Sequence, residues 1–248
     1  MKELIDIIFS GKNVVVVTGA GISTLSGIPD FRGKNGIYNK DEDVEYKLSK
    51  RYFLNNSKEF YDFYKDNMIV TNVKPNIIHN TLVKLEKKGF ISGIITQNID
   101  NLHQEAGSKN VIDLHGNGKR FYCCDCGKEF DESYYINHGF ECDECDGVVR
   151  PDIVLYGENL KNKVLSNSIE MIENADIVIV LGSSLVVSTV AGLLKDYLIS
   201  KKIFDSKDTS LYIVNNQSTS FDGYAKRISD DLESVFEEIM KRDELNEE

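Results

Sequence analysis

Val14-Val15-Val16-Val17-Thr18-Gly19-Ala20-Gly21-Ile22-Ser23-Thr24 is the stretch that decides how this chain folds. Four consecutive β-branched apolar residues without alternation are the pattern of a strand covered on both faces, as in a parallel sheet. Glycines just past such a strand let the backbone come close to a pyrophosphate and aim amide N–H groups at it. Alone, they also fit a plain tight turn from strand to helix. The spacing from Gly19 through Gly21 to Gly27 is G-x-G-x5-G, not the fingerprint of hydride-transferring dehydrogenases, whose third glycine comes sooner. Beyond it, Pro29 fixes the chain, Phe31 offers a flat apolar face and Arg32 offers a cation for a phosphate.

Apolar runs at 91–95, 111–114, 153–156, 177–181 and 211–214 read as further strands of the same kind. Helical periodicity lies between and around them. Leu4, Ile7 and Ile8 share one face near the start; Ile78, Leu82 and Leu85 precede a C-cap glycine, Gly89; Leu232, Val235, Phe236, Ile239 and Met240 share a face near the end. Alternating strands and helices predict an α/β fold built on a Rossmann-like parallel sheet. Two stretches break the rhythm. Residues 34–74, rich in Lys, Asn, Tyr and Phe, read as a helical insertion, and residues 119–150 hold all five cysteines. The expected division is a dinucleotide-binding domain of residues 1–33, 75–118 and 151–248, and a small domain combining 34–74 with 119–150.

A chain of 248 residues with 41% hydrophobic content can bury one sizeable core and is not a disordered type. The net charge of −11 argues against nucleic acid as the main ligand, because phosphate binding needs a basic surface. It suits a cationic peptide, although keeping a protein soluble is the commoner role of such charge. No run is long enough to cross a membrane, and the charged N-terminus does not read as a secretory signal. Cys123, Cys126, Cys142 and Cys145 give C-x2-C-x15-C-x2-C, the spacing of a zinc ribbon rather than of disulfides. Four thiolates leave no open position, so one structural zinc is expected, in the reducing cytoplasm. Cys124 falls outside the ligand set, and His138 is a weaker alternative ligand.

Polar clusters follow the other strands. They are Thr96-Gln97-Asn98-Ile99-Asp100-Asn101-Leu102-His103, Leu114-His115-Gly116, Gly182-Ser183-Ser184 and Asn215-Asn216. In a parallel sheet these would converge on one edge, where ligands bind. His115 is placed either as a base, with an unperturbed pKa near ~6.5, or as a satisfied structural histidine.

Together the words GAGIST, SGIPDFRG, TQNIDNLH, LHG, the paired cysteines, RPDIVLYGE, GSSLVV and VNN resemble the sirtuin family of NAD-dependent protein deacylases, in family order from residue 19 to 216. The resemblance implies that NAD is a co-substrate. Gly19, Ala20, Gly21, Thr24, Phe31 and Arg32 would line the dinucleotide. Gln97, Asn98, Ile99 and Asp100 would hold nicotinamide and its ribose. Gly182, Ser183, Ser184, Asn215 and, through a weaker match, Asp231 would contact the adenosine half. His115 would be the general base, with Asn98 and Asp100 beside the reacting carbon. Val154, Tyr156, Gly157, Glu158 and Val187 would edge the channel for an acetylated, or otherwise acylated, lysine of a protein or peptide. The implied reaction moves the acyl group from lysine to ADP-ribose and releases nicotinamide. ADP-ribosyl transfer or NAD hydrolysis in the same pocket is the alternative. The chain departs from the family in three places. Ser188-Thr189-Val190 stands where Tyr-Pro-Ala is frequent, and Asn117 where serine is frequent. Tyr61 and Tyr64 lack the arginine partner found in members that remove succinyl groups.

Overall fold

The computed structural model describes residues 1–30, 36, 43–204, 210–242 and 245. Its strands are β1 Val14–Thr18, β2 Gly93–Thr96, β3 Val111–Asp113, β4 Gly116–Cys123, β5 Glu129–Asp131, β6 Val149–Ile153, β7 Ile177–Leu181, β8 Leu211–Val214 and β9 Lys226–Ile228. Six of them form a parallel sheet in the order β3-β2-β1-β7-β8-β9. From β1 the chain builds outward through β2 and β3, then returns to build β7, β8 and β9 on the other side. The reversal between β1 and β7 opens a crevice at the carboxyl ends of the strands.

Every residue of β1 and β7 is buried, because helices cover both faces. Val14 and Val16 point into a core with Leu82, Leu85, Phe236 and Ile239. Val15 and Val17 point into the opposite core with Ile172, Leu194 and Tyr197. Each such valine gains about 1.5–3 kcal/mol from leaving water. The helix Ile77–Lys87 starts on Asn76, whose side chain accepts from the Ile78 amide in a capping box with His79, and ends before Gly89 at φ +77°. In the first helix, Lys2–Ile8, Ile5 is buried with Leu4 and Ile8, and Ile7 is only partly so.

The other three strands form an antiparallel sheet, β5-β4-β6. Helices Lys50–Asn55 and Ser57–Asn67 and the helix Glu132–His138 share a core with it, built on aromatic side chains such as Phe53, Phe60, Tyr64, Phe121 and Tyr135. One sequence expectation is corrected by this sheet. The run 153–156 is not a strand of the parallel sheet. Ile153 ends β6, opposite Gly116 of β4, and Tyr156 then makes a parallel bridge with Ser49. An apolar run reports burial but not the partner strand, and here the partner is the segment that has just left His115.

Candidate active site

The crevice is closed at its base by backbone packed on backbone. The Gly19 amide donates to Leu181 O at 3.0 Å and the Gly21 amide to Gly182 O at 2.9 Å. A Cβ on Gly21 would lie 2.8 Å from Gly182, itself at φ +60°, so this seam admits no side chain. Ala20 lines a small cavity of about 70 Å³ with Ser23, Asn98, Ile99, Asp100 and, from the insertion, Met68. Thr24 is exposed, its hydroxyl donating to Gly21 O at 3.0 Å. Phe31 and Arg32 lie outside the described residues.

The Thr96–His103 segment crosses the ends of β1 and β2 and is heavily bonded. The Gln97 amide group donates to Ser183 Oγ at 2.8 Å, and Asn98 Nδ2 donates to Gly19 O at 3.2 Å and Ser23 Oγ at 3.1 Å. Ser23 in turn donates to Asp100 Oδ2 at 2.6 Å, and the Leu102 amide to Asp100 Oδ1 at 2.9 Å. Burial pushes the Asp100 carboxyl above its ordinary value, and these donors hold the rise back. Across the reversal, Asn215 Nδ2 donates to Ser183 O at 2.7 Å. Ser184 is half-buried in the same loop.

His115 follows β3. Its Nδ1 lies 3.1 Å from Gln97 O, which requires a proton on Nδ1 and leaves the Nε2 lone pair on the outward side of the neutral ring. Nε2 is 3.4 Å from Thr189 Oγ1. Burial lowers the His115 pKa, and the bond to Gln97 partly offsets this. Gly116 has φ +81°, and a Cβ there would overlap Asp152 O, so glycine is required where β4 turns onto β6. Beyond β6, the Val154 amide donates to His115 O at 2.9 Å. Gly157 is exposed at φ +85°, and Val187 is half-buried in the loop that leads to Thr189. A larger cavity of about 350 Å³ is lined by Arg120, Asp152, Gly157 and Lys161, and not by Asn98, Asp100 or His115. Asp231 is exposed, and its carboxylate caps the helix Leu232–Met240 by accepting from the Ser234 amide at 3.1 Å.

The Sγ atoms of Cys123, Cys126, Cys142 and Cys145 lie within 4.8 Å of one another, with 3.5 Å for Cys123–Cys145 and 3.7 Å for Cys126–Cys142. Thiolates at the usual Zn–S length of ~2.3 Å around one tetrahedral ion would stand about 3.8 Å apart. The four residues therefore fit one structural zinc, and Cys124 is exposed outside the group.

Four polar residues near the cleft stand in the quoted motifs without an assigned role: Ser23, Thr189, and the pair Thr18 and Thr96, whose hydroxyls bond each other at 2.9 Å. Threonine at the end of an apolar run reads as one more β-branched residue. Only its position just before a ligand-facing loop carries a signal.

Residues 19–189 match the model of the Sir2 family. An NAD-dependent protein deacetylase of Staphylococcus epidermidis is 42% identical over 246 residues, 97% of this chain and 96% of that protein. One of Clostridium tetani is 44% identical over 237 residues, 93% of this chain and 92% of that protein. Among solved structures, Sir2 with a p53 peptide and NAD+ superposes with a TM-score of 0.84 at 40% identity, covering 97% of each chain. Sir2 with the inhibitor EX-527, 2′-O-acetyl-ADP-ribose and a deacetylated p53 peptide gives 0.84 at 39% identity, covering 97% of this chain and 98% of that one. With the words of the crevice, its strand order and these likenesses in agreement over nearly its whole length, this chain belongs to the Sir2, or sirtuin, family.

Proposed function

We propose that this protein is an NAD-dependent protein-lysine deacetylase, and that the residues gathered at the β1–β7 reversal carry the reaction. NAD, when bound, supplies the glycosidic carbon that loses nicotinamide and the ADP-ribose that takes the acyl group. The glycine seam at Gly19, Gly21 and Gly182, whose own amides are bonded within the sheet and across the seam, carries no side chain and so lets the dinucleotide approach the backbone beside Ala20 and Thr24. Ser183, Ser184, Asn215 and Asp231 face the adenosine half. Gln97 and Ile99 flank the nicotinamide end; Phe31 and Arg32, outside the described residues, are assigned to the dinucleotide by the sequence motif alone. Asn98 and the Asp100 carboxylate stand where positive charge develops on the reacting carbon. The His115 Nε2 lone pair accepts a proton from a ribose hydroxyl, which frees that oxygen to attack the acyl carbon. Val154, Tyr156, Gly157, Glu158 and Val187 form the edge against which the acyl-lysine peptide adds as a strand.

The observation that carries this reading is the His115 ring, half-buried, bonded through Nδ1 to the Gln97 carbonyl, and thereby left with an unprotonated Nε2. Mass spectrometry of the products from NAD and an acetyl-lysine peptide tests it. Acetyl-ADP-ribose, nicotinamide and free lysine are expected; ADP-ribose attached to protein, without acyl transfer, would overturn it.

We divide the chain into a larger domain of residues 1–33, 75–118 and 151–248, which contains the parallel sheet, and a smaller one of 34–74 and 119–150, held by zinc, with β4 and β6 of the antiparallel sheet running across the boundaries between them. We place the protein in the cytoplasm, where thiolates stay reduced. No helix of the described residues is long and apolar enough to cross a membrane.

A further inference from the structure

His103 takes no part in the reaction outlined above, yet it is buried at the end of a chain of hydrogen bonds that leads into the site. Its Nε2 lies 3.0 Å from Thr18 Oγ1. The Thr18 hydroxyl donates to Thr96 Oγ1 at 2.9 Å, and the same Thr96 oxygen accepts the Asn98 backbone amide at 3.1 Å. Each Thr hydroxyl has one proton. With that of Thr18 committed to Thr96, Thr18 Oγ1 can only accept from His103. The proton of His103 is therefore on Nε2, and Nδ1 is bare. Nδ1 is buried with no hydrogen-bond partner among the described residues.

The neighbourhood keeps the ring neutral. Burial, then the nearby His79, lower the His103 pKa to about 3. The His79 ring packs edge-on at 5.0 Å. Its Nδ1 accepts the Asn76 amide at 3.4 Å, so its proton too is on Nε2. A leucine at 103 would fill similar space without leaving a polar atom unpaired. The imidazole is the costlier occupant, and what it adds is one donor aimed at Thr18.

We propose that His103 is a positioning residue for the Asn98–Asp100 loop, its Nε2–H acting through the hydroxyls of Thr18 and Thr96 to fix the Asn98 backbone, and with it the side-chain amide held by Gly19 and Ser23. The proposal rests on the deacetylase reading for its effect on turnover, but the bonding itself can be observed without turnover.

The test uses the full chain with zinc bound and four variants. His103→Leu and Thr18→Val remove the donor and the relay. His103→Gln and Thr18→Ser keep them, because a glutamine amide can reach Thr18 from the place of Nε2. Nicotinamide release with an acetyl-lysine peptide should fall at least about tenfold in the first two, since small misplacements of reacting groups cost up to about a hundredfold. It should stay within roughly threefold in the conservative pair, and the Leu/Val double variant should be no slower than the worse single by more than about twofold. The loss should appear in kcat, with NAD binding by calorimetry little changed. His103→Leu turning over like the native protein, or His103→Gln as slow as His103→Leu at equal melting temperature, overturns the proposal. Imidazole 15N spectra of the native protein give the independent reading. A neutral Nε2–H tautomer for His103 at pH 6 is expected, and an Nδ1–H tautomer overturns the network. A native protein with that tautomer and no acyl transfer counts against the reaction and leaves the network standing.

Discussion

Glu158 turns both carboxylate oxygens onto the Arg150 guanidinium, at 2.7 and 3.1 Å. Arg150 is buried, donates also to Ile153 O at 2.8 Å and lies 4.9 Å from the Phe53 ring centre. The Leu155 amide donates to Glu158 Oε2 at 2.8 Å. Burial pushes the Glu158 carboxyl up, but its bonds to Arg150 and the Leu155 amide outweigh this and leave it below the usual carboxylate value. The pair thus pins both ends of the 154–157 edge.

Arg150→Met should leave that carboxylate partly buried and alone, costing about 3 kcal/mol in urea unfolding. The peptide KM should rise on the order of tenfold, or ~1.4 kcal/mol, with the NAD KM little changed. A rise confined to the NAD KM would contradict the assignment of this edge to the peptide.

Because burial lowers the His115 pKa, the ring stays neutral to a more acid pH than a free imidazole. The acid limb of kcat/KM should therefore fall below the ordinary value of about 6.5. His115→Ala should cut acyl transfer by at least about a hundredfold. An acid limb above the ordinary value would mean that the protonated ring is the stable form.

Two other histidines, His79 and His103, also make stability depend on pH. Burial lowers His79 to about 4 and His103 to about 3. Their folded values lie below the unfolded one, so their contribution is full above about 6.5 and is lost as pH falls toward the folded values. From pH 7.5 to pH 5 each should cost about 2 kcal/mol. Urea titrations of the native protein and of His79→Gln check this: the variant should lose less stability over the same interval.

Removing zinc with a chelator should lower the melting temperature by about 10 °C or more, equivalent to roughly 3–5 kcal/mol. Cys142→Ser should behave like the chelated protein and Cys124→Ser like the native one. A Cys124→Ser protein that loses metal would show that the ligand set is wrong.

Acetyl-lysine should be turned over faster than succinyl-lysine. Lys65, the cation nearest Tyr61 and Tyr64 on their helix, donates to Ile136 O at 3.0 Å and to Tyr61 at 3.3 Å, and Tyr64 is buried, so neither side chain is free to meet an acid group. Kinetics with the two peptides decide it, and preference for succinyl would reverse the conclusion.

The parallel sheet was readable because β1, β2, β7 and β8 are buried on both faces and so lose all alternation. β9, Lys-Arg-Ile on an edge, carries no such mark, since two of its side chains are exposed. The four cysteine ligands could be read from spacing alone, because metal geometry is local. The links from Ser23 to Asp100 and from Thr18 to His103 join residues 77 and 85 apart in sequence, and only the packed sheet reveals them.

The bridge between Ser49 and Tyr156 has a mechanical meaning. Lys50 N donates to Tyr156 O at 2.9 Å and Tyr156 N to Leu48 O at 3.0 Å, while Val154 N is tied to the carbonyl of His115. One three-residue ribbon is thus clamped to the helical insertion at one end and to His115 at the other. Displacement of the insertion would pull on His115 through two peptide units, so the proposed peptide edge and the proposed proton acceptor would move as a single lever.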